Sequence, residues 1–232
     1  MKDYLYSRRI WEIDFLRGIA IIFMVYFHAL YDMEYIFNYD VVLYTPINSL
    51  IIKFGAALFI FISGISANFS KSNFKRGLKV LAAALAISAI THLFDYEQGI
   101  KFGILHFFAV CMLASPWLLK QRNVILGLIS VLAFALSFVV SNANVNFDWL
   151  FPFGIVSDSF ISSDYYPLIP WVAFYCLGIV FARFFYKDRR SLLPKGDTLP
   201  DNIVNIAGRN SLWVYLLHQP VIMGILYLLQ KL

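Results

Sequence analysis

Residues 8–36 read RRIWEIDFLRGIAIIFMVYFHALYDMEYI, an apolar helix that carries ionisable groups at chosen depths. Arg17 and His28 stand eleven residues apart. At about 100° per residue they lie about 20° from one another around the helix and about 16 Å apart along it. One stripe therefore links a guanidinium at the membrane edge to an imidazole deep inside. Asp14, at i−3 from Arg17, and Asp32, at i+4 from His28, extend the stripe, each within reach of its neighbour. Charge inside a bilayer is costly and usually functional.

The rest of the chain agrees with a membrane reading. Of 232 residues 60% are apolar, 18% aromatic and 14% charged, at a mean hydropathy of +0.70, which leaves too little polar surface to cover a soluble globule. Apolar segments of about 18 to 22 residues match the length of a transmembrane helix. The absence of strict alternation argues against an outer-membrane barrel. Seven spans are expected, near 15–36, 48–69, 78–95, 102–119, 123–141, 165–186 and 210–229. The fold class is all-α, a polytopic helical bundle, and residues 1–232 read as a single transmembrane domain without repeats. The first span lacks the short apolar core and small-residue cleavage site of a signal peptide, so it is expected to stay in the mature protein.

Topology follows from the basic residues. The loop KSNFKRGLK, the turn at Lys120–Asn123, the loop KDRRSLLPKGD and the N-terminus together hold 16 of the 19 Lys and Arg, counting Arg17, Arg183 and Arg209 at span edges; Lys53, Lys101 and Lys231 fall opposite. The positive-inside rule puts the N-terminus in the cytoplasm and, after an odd number of spans, the C-terminus outside. The net charge of +5 thus reports topology and gives no reason to expect nucleic acid. Cys111 and Cys176 lie alone in apolar stretches, which suggests packing rather than a disulfide framework or a zinc ribbon.

Several groups are candidates for chemistry. His28 has Asp32 one turn on to fix its tautomer, the arrangement that a general base needs. Counted from the cytoplasmic edge at about 1.5 Å per residue, His106 comes at about the depth of His28, roughly 20 to 24 Å, and His218 at roughly 12 Å. Both are candidates for holding an acceptor, although an intramembrane histidine also serves as a hydrogen bond between helices; His92 reads as interfacial. Asp14 and Arg17 are either a snorkelling pair or an anion site at the cytoplasmic mouth, to which Arg76 and Lys79 add charge. Ser63 and Gly64, in FIFISG, lie where a small residue lets backbone approach closely, either to another helix or to a narrow ligand. The outer segment from Ser141 to Tyr166 sets Asn142, Asn144, Asn146, Asp148, Trp149, Asp158 and Asp164 among phenylalanines. It either caps the outer face, holding a polar acceptor against Trp149 and Trp171, or forms an interfacial aromatic belt.

The run from Arg9 through Asp14, Arg17, Gly18 and His28, with FIFISG, Gly103-Ile-Leu-His106, Asp164-Tyr-Tyr-Pro-Leu-Ile-Pro-Trp171 and Gly208-Arg-Asn-Ser-Leu-Trp-Val-Tyr-Leu-Leu-His218-Gln-Pro220, resembles bacterial membrane proteins related to the catalytic domain of heparan-α-glucosaminide N-acetyltransferase. The Asp-x-x-Arg-Gly motif and the Arg17-to-His28 spacing are also similar to the acyltransferase-3 family. The resemblance implies transfer of an acetyl or other acyl group from cytoplasmic acyl-CoA to a polar acceptor, a glycan or cell-envelope component, at or across the plasma membrane, with no metal. It implies phosphates at Arg17, Arg76 and Lys79 and a thioester at His28, with Asp32 orienting the imidazole. The lysosomal enzyme has an asparagine where His28 stands, so His28 rests on the acyltransferase-3 pattern. Oligomeric state is open and compatible with a homodimer. Two other classes remain: a metal-dependent membrane hydrolase, against which no His-x-x-His or His-x-x-x-His pair occurs, and a transporter or lipid-binding scaffold, for which broken spans and an inverted repeat are missing.

Overall fold

A computed structural model describes residues 10–193 and 202–231; Arg8, Arg9 and residues 194–201 of the last basic loop lie outside the described residues. Eight α-helices are formed among the described residues: α1 Trp11–Tyr31, α2 Pro46–Ala67, α3 Asn73–Phe94, α4 Ile104–Leu118, α5 Asn123–Val140, α6 Leu168–Phe185, α7 Ile203–Arg209 and α8 Ser211–Gln230. All but α7 correspond to the seven expected spans. Six are long and apolar enough to cross a bilayer, α1 counted with its extension to Ile36, and α4 is a shorter apolar helix. The protein is a polytopic helical membrane protein.

Local chemistry explains where the ends differ from expectation. α3 begins five residues early because Ser72 caps it, accepting from the Lys75 N–H at 3.3 Å. α1 does not end at Tyr31 but widens into a π-helical turn, Asp32–Ile36, in which the Phe37 N–H reaches the Asp32 carbonyl at 2.9 Å. α6 starts after Tyr165 because Tyr165 forms an isolated bridge with Phe102. The short α7, capped by Asn202 through the Val204 N–H at 2.9 Å, was not expected as a separate element.

The chain falls into two compact units, residues 1–62 with 186–232, and residues 63–185. In the first, α7 crosses α1 so closely that a Cβ at Gly18 would overlap the Val204 carbonyl and one at Gly208 would overlap the Asp14 carbonyl. Glycine on both helices permits this approach. α2 joins through Gly55 against Phe23, and the Tyr26 hydroxyl donates to Asn48 Oδ1 at 3.0 Å.

In the second unit α3 pairs with α4, Gly77 facing Leu113, and α5 pairs with α6, where the Ser130 hydroxyl donates to the Ala173 carbonyl at 3.2 Å. Arg183 holds the turn before α5, donating to the Leu119 and Gln121 carbonyls at 2.8 Å each and to Asn123 Oδ1 at 2.7 Å. Cys111 and Cys176 are buried and unbridged. The outer segment folds back on the loop before α4: Ile104 N–H donates to Asp164 Oδ2 at 2.9 Å, Tyr166 N–H to the Phe102 carbonyl at 2.9 Å, and Lys101 lies over the Phe160 ring.

Candidate functional site

The polar stripe of α1 is answered in the first unit by α7 and α8. At one end Arg17 Nη1 donates to Asp14 Oδ1 at 2.9 Å and to the Gly208 carbonyl at 3.3 Å. The pair is about five-sixths buried, with side-chain exposures of 17% and 15%, so Arg17 is set into the helix crossing and is not loosely snorkelling. The Gly18 and Gly208 that allow that crossing are the neighbours of these ionic groups. This is why the Asp-x-x-Arg-Gly and Gly-Arg-Asn motifs, nearly two hundred residues apart in sequence, come together.

Three turns further along α1, two consecutive residues of α8 meet two residues one turn apart on the stripe. The His218 ring lies 4.8 Å from the His28 ring, centroid to centroid, at 58° between planes. Gln219 Nε2 lies 2.8 Å and 2.9 Å from the two oxygens of Asp32. Asp32 is fully buried. Asp32, the carboxylate expected to orient His28, is engaged by Gln219, and a second imidazole lies beside His28. The register of α8 is the cause, because it brings a donor to Asp32 and a flat ring to His28 in the same turn.

The His218 ring is itself oriented. Its Nδ1 lies 2.5 Å from the Tyr215 carbonyl, and because a carbonyl only accepts, Nδ1 carries the hydrogen. Among the described residues its buried Nε2 has no partner, and neither has Gln219 Oε1. Gln219 is the residue that sequence reasoning missed. The available signal was a carboxamide deep in an apolar helix, between a histidine and Pro220.

The other expected site residues belong to the second unit. His106 is buried and saturated: its Nδ1 accepts from the Gly103 N–H at 3.2 Å, so Nε2 carries the hydrogen and donates to Ser88 Oγ at 3.2 Å. The Ser88 hydroxyl in turn donates to the Ile100 carbonyl at 2.6 Å. This arrangement ties the start of α4 to α3 and resembles a structural clamp more than a Ser–His nucleophile. Gly64 packs against the Tyr175 carbonyl of α6, the helix-packing use of the two left open by the sequence. Ser63 is half-buried beside it, and Arg76 and Lys79 are exposed near the start of α3. Trp171 sits in an aromatic cluster with Tyr166 and Phe174, at centroid distances of 5.2 and 5.9 Å. Trp149 is 70% exposed and stacked on Phe147, as an interfacial belt requires. Among the described residues no group of three His, Cys, Asp or Glu is gathered for a metal ion.

The family model described as heparan-alpha-glucosaminide N-acetyltransferase, catalytic, matches residues 9–220 of the 232. The chain belongs to that family. The match takes in α1, α7 and the histidine-bearing turn of α8. A transferase of the membrane acetyltransferase type is what this family membership implies. No curated protein and no solved structure matches the chain.

Proposed function

We propose that this acetyltransferase-family protein moves an acetyl or other acyl group from cytoplasmic acyl-CoA to an acceptor, a glycan or cell-envelope component, at the plasma membrane. The observation that carries the reading is the meeting of His28 and His218 at 4.8 Å beside the buried Asp32–Gln219 pair, on helices that the family model spans. An imidazole pair in an apolar setting is suited to acyl transfer, whether by proton abstraction or by nucleophilic attack.

The N-terminus faces the cytoplasm in this reading, so Arg17 lies at the inner mouth and takes a phosphate of the co-substrate, with Asp14 fixing its guanidinium. Arg76 and Lys79 add cationic charge on the same side of the membrane, and Ser63 with Gly64 lies at the inner end of α2. The donor brings an activated thioester, and the pantetheine arm is about as long as the rise from Arg17 to His28. His28 meets the acyl group, deprotonating the acceptor or taking the acyl group itself. Asp32 holds the α1–α8 register through Gln219, and His218 supports the acceptor.

The test is thermal unfolding of the purified protein in lipid nanodiscs with and without acetyl-CoA. A ligand that binds only the folded state raises the midpoint by mass action, stabilising that state by about 2.7 kcal/mol at a hundred times its dissociation constant. No shift at millimolar acetyl-CoA, together with no release of CoA thiol on adding amine or hydroxyl acceptors, would sink the reading.

A further inference from the structure

The two facing imidazoles are held differently. His218 Nδ1–H donates to the Tyr215 carbonyl, which fixes the ring in one neutral tautomer and leaves the lone pair on Nε2. A backbone carbonyl on one ring nitrogen is a common way to set which nitrogen acts as base. That Nε2 atom is buried and has no hydrogen-bond donor among the described residues. An unsatisfied buried acceptor typically costs about 1–3 kcal/mol, and native proteins leave few such atoms without a reason. The next residue, Gln219, also carries a buried acceptor without a donor, Oε1, because its Nε2 is turned to Asp32. Two neighbouring residues of α8 thus each present an acceptor atom that a ligand bearing O–H or N–H groups would satisfy.

His28 lacks this preparation. Among the described residues its ring makes contact with Phe27 and His218, and the carboxylate one turn on is taken by Gln219. The saturated His106 shows the contrast from the other side, since both its nitrogens are bonded.

We infer that His218 Nε2 is the atom that takes the proton from the acceptor's hydroxyl or amine. The inference rests on the acyl-transfer reading above and assigns the base within it. The acceptor O–H or N–H bond breaks and its proton passes to His218 Nε2. The acceptor oxygen or nitrogen forms a bond to the thioester carbonyl carbon. The carbon–sulfur bond breaks, and the proton on His218 goes to the departing sulfur, giving the acylated acceptor and a free thiol. His28, 4.8 Å away, is left to meet the acyl group. Of the titratable groups on the elements packed against α8, His28 and Asp32 are already placed, as are Asp14 and Arg17 toward the other end of α1. Glu12 accepts from the Leu192 N–H, Tyr26 donates to Asn48 Oδ1, Tyr31 and Tyr35 lie ring against ring, Glu34 accepts from the Leu43 N–H, and Arg209 donates to the Asn205 carbonyl of its own helix.

His218→Asn provides the test, because the asparagine amide N–H replaces Nδ1–H toward the Tyr215 carbonyl while the basic nitrogen is removed. With acetyl-CoA as donor and glucosamine as an amine- and hydroxyl-bearing probe, His218→Asn is expected to lower kcat about 10²–10⁴-fold. Stabilisation by acetyl-CoA should be retained and the acidic limb of the pH–rate profile lost. Wild-type turnover in His218→Asn, or loss of that limb in His28→Asn with its retention in His218→Asn, overturns the assignment. A second readout does not depend on turnover: ¹⁵N spectra of histidine-labelled protein, with the His218 signals assigned by the variant, should show the neutral Nδ1–H form. An Nε2–H form overturns the inference even if the protein proves to be an acyltransferase. Absence of any acetyl-CoA binding or turnover in the wild type counts against the acyl-transfer reading instead.

Discussion

Replacing Gln219 by leucine should expose how strongly the Asp32 carboxylate depends on one partner. Asp32 has no exposed surface, and both its oxygens lie within 2.9 Å of Gln219 Nε2. Removing a hydrogen-bond donor from a buried carboxylate costs about 1.5–3 kcal/mol. For a chain of this length one kcal/mol moves the midpoint by about 2–4 °C, so Gln219→Leu should unfold about 3–12 °C below the wild type. Asp32→Leu/Gln219→Leu removes both the charge and its partner, and apolar replacement of a buried polar pair is often close to neutral. The double variant should therefore regain most of the loss. Intrinsic-fluorescence melts in one detergent, with monodispersity checked by gel filtration, supply the comparison. A Gln219→Leu midpoint unchanged from the wild type, or a double variant less stable than the single, would refute the idea that Asp32 is an ionised group held by Gln219.

Other outcomes follow from the same contacts. Gly208→Ala puts a Cβ into the Asp14 carbonyl; backbone cannot yield as a flexible side chain does, so a loss of about 1–3 kcal/mol is expected in the same melts. Arg183→Lys keeps the charge but cannot reproduce the forked bonds to Leu119, Gln121 and Asn123 and should cost about 2 kcal/mol. Arg17→Ala should weaken stabilisation by acetyl-CoA, and His28→Ala should abolish transfer with that stabilisation intact; a fully active His28→Ala protein removes His28 from the mechanism. In the outer segment, the Ser157 N–H, at 2.8 Å, and the Ser157 side chain hold the Asp148 carboxyl below its usual range, with Lys101 contributing. A depressed folded-state pKa gives order that is present above the unfolded value of about 3.9 and lost as pH falls through the folded one. Pepsin cleavage within residues 141–166 should accelerate over that acidic range in the wild type and show no such pH step in Asp148→Asn.

Much of this architecture was legible in the residues alone, and the reason is that the bilayer makes local sequence informative. A span must satisfy its own backbone hydrogen bonds and present apolar side chains for its full length, so hydropathy marks seven helices without knowledge of their neighbours. Helical periodicity likewise puts Asp14, Arg17, His28 and Asp32 on one stripe. Their partners were not legible. Asp32 meets Gln219 and Arg17 meets the Gly208 carbonyl across 187 and 191 residues of chain, and no local pattern encodes such a pairing. It depends on the depth and rotation at which α7 and α8 settle against α1, a register set by how closely Gly18 and Gly208 let the helices approach. The same dependence separates the histidines: the sequence shows four imidazoles in or near the spans, whereas the fold saturates His106, sets His28 against His218 and leaves one oriented nitrogen without a donor among the described residues.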